Sequence, residues 1–200
     1  MNEWISAAFG LLGVIVGAGL TYVREYLVQR KKQKQDVAYL AVVVSGALER
    51  FSAGCLRVVN DDGLYQGQPN REGSREIQAR TPEFRPELLN VEWKSLPTSL
   101  MYEILDLPYR IEVANGVISD AAEYAAMPPD YEEFYEQRQY QYADLGIAAA
   151  RLAARLRAQA GFSERRRGEW DPVAHMEAER AKIEKFWHER AGRHTPQLDV

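Results

Sequence analysis

The sequence predicts an all-α protein, with an N-terminal single transmembrane helix followed by a cytosolic four-helix bundle-like domain. Trp4 to Val23 holds no charged residue, and at 1.5 Å rise per residue about 20 residues span the roughly 30 Å core of a bilayer. Five basic residues follow within a short stretch. Beyond them, apolar residues recur by threes and fours, and no segment alternates as a half-buried strand would.

The apolar run is expected to be an anchor, residues 1–28. Trp4 stands at one end and Tyr22 and Tyr26 at the other, where amphipathic rings favour the headgroup region. A cleaved signal peptide would carry a basic start and a shorter core; here Glu3 precedes the run and no Lys or Arg does. Gly17-Ala18-Gly19 is followed by Leu20, Thr21 and Tyr22, so the third glycine of a dinucleotide fingerprint is missing. Ser6, Gly10, Gly13 and Gly17 instead fall on one helical face, continued by Thr21. Small residues so spaced let two membrane helices approach closely. This face is expected to pack against a second copy or another membrane protein.

Arg24, Arg30, Lys31, Lys32 and Lys34 follow the span. Positive residues stay on the cytoplasmic side, so the N-terminus is expected outside and the remainder inside, as in a single-pass protein of a bacterial inner membrane. The collar, residues 29–36, also attracts anionic lipid. With no helix breaker in QRKKQKQD, the membrane helix either continues straight into the domain or bends there.

Residues 37–195 are expected to form the helical domain. After Asp36 there are 20 basic and 26 acidic residues; that mildly acidic balance argues against nucleic acid as a partner. The lone Cys55 excludes an internal disulfide framework and lies on an apolar stripe, as a small core residue would. The first stripe is Val37, Leu40, Val44, Leu48, Phe51, Cys55 and Val58, ended by Asp61-Asp62-Gly63. Residues 61–97 are irregular, rich in Gly, Pro, Arg and Glu. A loop so long is usually functional or disordered; Leu88, Leu89, Val91 and Trp93 are expected to dock it on the bundle.

The second stripe runs Leu100, Ile104, Leu107, Ile111, Ala114, Ile118 and Ala121, kinked at Pro108. Met127-Pro128-Pro129-Asp130 reads as a stop and a new start, with Asp130 as N-cap. The third stripe is Tyr131, Phe134, Arg138, Tyr142, Leu145, Ala149, Leu152 and Leu156, terminated by Gly161. Tyr140 lies off it and is expected to be exposed, as tyrosines at interfaces are. A last helix, about Pro172 to Arg190, presents Val173, Met176, Ile183, Phe186 and Trp187.

No catalytic set is predicted, and no cofactor or metal. Glu-x-x-His, needed in pairs by a di-iron bundle, does not occur; Glu184 and His188 share a face but make half a site. His175, His188 and His194 lack metal-ligand spacing. Glu132, Glu133 and Glu136 complement a helix N-terminus. Arg165-Arg166-Arg167 is a basic loop. The function expected is a membrane-anchored interaction or scaffold protein. The alternative is a membrane-tethered enzyme or small-ligand binder with its site near Pro108 and the 61–97 loop.

Overall fold

The computed structural model describes residues 3–125, 131–163 and 170–193, with side chains from Gly19 to Gly192. The Met127–Asp130 turn, the Arg165–Arg167 run and His194 lie outside the described residues. Five α-helices occur among the rest: α1 (Glu3–Val59), α2 (Thr98–Leu105), α3 (Leu107–Asp120), α4 (Glu132–Gln159) and α5 (Pro172–Arg193). The described residues contain no strand; the only extended pairing is a single bridge between Tyr65 and Gln68.

α1 is continuous over 57 residues, about 86 Å at the usual rise. The helix therefore runs through the collar without a break. Its domain half buries the predicted stripe: Leu40, Val44, Leu48, Cys55 and Val58 have no exposed surface, and Phe51 has almost none. The stripe packs on α4, which is the central helix and also receives α3 and α5. α4 turns small residues inward, with Ala143, Gly146, Ala149 and Ala153 all buried, so the backbones come close. A Cβ on Gly146 would stand 2.8 Å from Cys55 Cβ and 2.7 Å from Met176 Sδ. Ser52 Oγ donates to the Gly146 carbonyl oxygen at 2.9 Å, which satisfies a hydroxyl that the core would otherwise orphan.

The second stripe forms two helices, not one kinked helix. Its chain breaks at Asp106, just before Pro108, because a proline ring clashes with the preceding turn. Leu100, Ile104, Leu107, Ala114 and Ile118 nevertheless share the buried side, and a π-helical turn, Ala121–Ala125, prolongs α3. α4 ends as its glycine predicts. Gly161 adopts φ +74°, and Phe162 N and Gly161 N donate back to the Arg157 and Ala158 carbonyls, a Schellman closure. Asp171 caps α5 through Val173 N at 2.9 Å.

Two tyrosines depart from expectation. Tyr131 is exposed and left-handed at φ +49°, since it precedes the first turn of α4 and does not face the core. Tyr140 is part-buried: its hydroxyl bonds Glu184 at 2.9 Å and its ring lies 4.8 Å from that of Trp187. It fastens α4 to α5.

Candidate functional site

Ser6, Gly10, Gly13 and Gly17 all lie within the continuous backbone of α1, and their side-chain surroundings are outside the described residues. Arg24, Arg30, Lys31, Lys32 and Lys34 are brought together on the next stretch of that helix and away from every other element. From Gly19 to Gln35 each residue is exposed, and a Cβ on Gly19 would meet nothing within 4 Å. Large apolar side chains share this exposure, among them Leu20, Tyr22, Val23 and Leu27. The Arg30 guanidinium stacks over the Tyr26 ring at 4.8 Å, a cation–π contact within the collar. The helix is long and apolar enough to cross a membrane by length and composition. The apolar window found between Gly19 and Val59 is half buried in the domain, so it is core. The uncharged stretch Trp4 to Val23 begins earlier on the same helix.

A buried ion pair organises the irregular segment. Asp61 and Arg138 side chains are 2% and 3% exposed and meet at 2.8 Å. Asp61 Oδ1 accepts from Gly63 N at 3.0 Å; Oδ2 accepts from Gln78 N at 3.0 Å and Ala79 N at 2.8 Å, besides Arg138. Arg138 also donates to the Ala79 carbonyl, and Gln139 Nε2 to that of Asp61. The carboxylate thus accepts four hydrogen bonds, three from the backbone and one from Arg138, and ties the chain after α1 to α4. Gly63, at φ +77°, lies so close to the Tyr135 ring that a Cβ there would overlap it. Burial, and next the Asp61 charge, push the Tyr135 phenol above its ordinary value.

Residues 61–97 are accordingly strapped to the bundle. Phe84, Pro86 and Leu96 are buried, with Leu89, Val91 and Trp93 packed at the core's edge. Leu88 points outward, 70% exposed; Phe84, set against the Phe51 ring at 6.0 Å, docks the strap where Leu88 was expected to. The Asp61–Arg138 pair escapes sequence reading because its members are far apart in the chain. Its one signal is a charged residue, Arg138, on an otherwise apolar stripe.

The candidates for chemistry are otherwise engaged. Cys55 is buried against Gly146, and desolvation drives its thiol far above the ordinary range, which leaves an inert thiol. Glu133 and Glu136 bind Arg190, and Glu136 also accepts from the Trp187 indole at 2.8 Å. Glu184 takes the Tyr140 hydroxyl, while His188 is exposed. His175 Nε2 sits 2.8 Å from Asn60 Oδ1. Among the described residues no group of three or more His, Cys, Asp or Glu is placed to hold a metal ion. An open cleft lies between Pro97, Ser99 and Leu100 on one side and Arg155, Ala158 and Gln159 on the other; Arg155 is already committed to both Glu103 oxygens.

Among the described residues of the domain, two helix faces carry exposed large apolar side chains. The outer face of α1 carries Tyr39 and Val42, each 60% exposed. The outer face of α2–α3 carries Tyr102, Leu105, Tyr109 and Val113. No protein-family model matches the chain, and no curated protein or solved structure shows significant similarity to it.

Proposed function

We propose that this protein is a single-pass membrane scaffold, whose N-terminal helix anchors a cytosolic helical domain that acts through contacts with other proteins. The observation that supports this reading is the collar half of α1, where large apolar and basic side chains are exposed together along an unaccompanied helix. In water such a segment gains nothing from packing, and isolated helices are marginal. In a bilayer, Trp4 to Val23 meets lipid, Tyr22 and Tyr26 lie at the headgroups, and each basic residue near an anionic surface contributes about 1 kcal/mol. The twelve residues Arg24–Gln35 then form a helical stalk about 18 Å tall. Ser6, Gly10, Gly13 and Gly17 give the span a close-packing face for a second membrane helix.

A reporter fused after Val200, active only outside the inner membrane, tests the orientation together with alkaline extraction of the membranes. The reading requires a silent reporter and a chain retained in the membrane pellet. An active reporter overturns the orientation, and release into the soluble fraction overturns the anchor.

A further inference from the structure

We infer that neighbouring copies of this chain associate head to tail in the membrane plane, the outer face of α1 in one copy docking on the outer face of α2–α3 in the next. The inference rests on the scaffold reading, which holds every copy upright at one height.

The two faces are both apolar at their centres and opposite in charge at their margins. On α1, Tyr39, Val42 and Ala53 are exposed on the side away from α4. Arg50 and Arg57 share that side by helical spacing, and among the described residues neither forms a salt bridge; Glu49, on the same helix, is bonded to Arg157. On α2–α3, Tyr102, Tyr109 and Val113 form the exposed centre. Residues 98–125 contain five acidic residues and one base. That base, Arg110, turns to Asp144 at 3.0 Å, and Glu103 is taken by Arg155. Asp106, Glu112 and Asp120 are left at the rim with no basic partner among the described residues. Tyr and flanking charge of this kind characterise protein contacts, and complementary potentials choose the partner.

The faces also match in direction and height. Ser52 with Gly146 and Asp61 with Arg138 show α1 antiparallel to α4. Glu103 with Arg155, Arg110 with Asp144 and Asn115 with Tyr142 show the same for α2–α3. The two open faces therefore run parallel. Ser52 meets α4 at Gly146 and Arg110 meets it at Asp144, which sets the two levels within about one helical turn. A sideways neighbour thus brings Asp106 and Glu112 within about a turn of Arg50 and Arg57, with Tyr109 beside Ala53.

Symmetric pairings are disfavoured by charge. Gly10 and Gly46 are ten turns apart at 3.6 residues per turn and share an azimuth, so an α1–α1 pair seeded by the glycines would continue through this face. It would set Arg24, Lys31, Arg50 and Arg57 of both copies against one another. Two α2–α3 faces would oppose Asp106, Glu112 and Asp120 likewise. Only the unlike pairing neutralises both margins, and such a heterologous contact builds a ring or an open row.

The test uses the full chain in membranes, with differently tagged copies carrying Ala53→Cys or Tyr109→Cys and a short bismaleimide crosslinker. The mixed 53–109 product should exceed both the 53–53 and 109–109 products about tenfold, and Arg50→Glu with Arg57→Glu should lower it about tenfold. Asp106→Arg with Glu112→Arg on the other copy should restore it, which separates lost contact from lost folding. Dominant 53–53 product, no product, or indifference to charge reversal would each overturn the inference. Alkaline extraction of the same membranes keeps the two readings apart. A released chain that still gives the 53–109 product sinks the anchor alone, and a retained chain without it sinks the head-to-tail contact alone.

Discussion

The two halves of α1 share one backbone and have opposite surroundings. From Gly19 to Gln35 every residue is exposed, whereas from Leu40 to Val59 residues three and four apart are closed off by α4. The sequence marks the difference by pattern and not by mean hydropathy. Trp4 to Val23 is apolar all round, which suits a surrounding solvent that is itself apolar; Val37 to Val58 is apolar along one stripe, which suits a single packed side. One continuous backbone joins the outer half to the inner one. The comparison teaches that a long helix need not have one source of stability, and each half can be broken separately.

The largest expected effect lies in the inner region. Arg138→Ala leaves Asp61 buried without its counter-charge, and breaking such a pair costs about 3–5 kcal/mol. Urea unfolding of the domain should show that loss, and the amides of Gln78 and Ala79, which donate to Asp61, should exchange faster. Membrane retention of the chain should not change. If the variant unfolds like the parent, the Asp61–Arg138 pair is not what holds residues 61–97.

Next in size is Gly146→Ala. The added methyl meets Met176 Sδ at 2.7 Å and Cys55 Cβ at 2.8 Å, and overpacking of this kind costs about 1–3 kcal/mol. Thermal unfolding measures the loss. The same variant reports on Cys55 through its rate of alkylation by a maleimide: negligible in the parent, faster once the three-helix contact is loosened.

A smaller effect follows pH. Burial raises the phenols of Tyr142 and Tyr135 above their ordinary value of 10.0. The folded chain therefore keeps those protons after the unfolded chain has lost them, so above about pH 10 the native state binds more protons and stability falls as pH rises. Below that pH these groups leave stability flat. Phenolate absorbance and urea midpoints followed together should shift in step above pH 10, and a midpoint that rises there would contradict the burial of both rings.

Much of the domain is legible in the sequence because helical periodicity is local. The stripe from Val37 to Val58 and the stop at Gly161 depend on neighbours a few residues away, and they fall where the spacing puts them. Pro108 announces a disturbance, though not that α2 and α3 separate at Asp106. What is not legible is made by distant partners. Asp61 and Arg138 are 77 residues apart, and nothing local says that one completes the other. Phe84 replaces Leu88 as the docking residue because PEFRPELL has no period from which inward and outward can be read. The open faces are half legible: Tyr102, Tyr109 and Val113 lie opposite the buried stripe by spacing alone, yet that Arg110 turns away to Asp144 and leaves the acidic rim unpaired is a tertiary fact.

The most direct test of the divided helix is to cut it. A chain beginning at Asp36 and ending at Val200, compared with the full chain in mild detergent, should be soluble without detergent. It should show a predominantly helical circular dichroism spectrum and unfold in one cooperative transition at the full chain's midpoint. A fragment that fails to fold, or that melts well below the full chain, would mean that residues 1–35 belong to the domain's core and contradict the account of α1 as an anchor joined to a self-sufficient bundle.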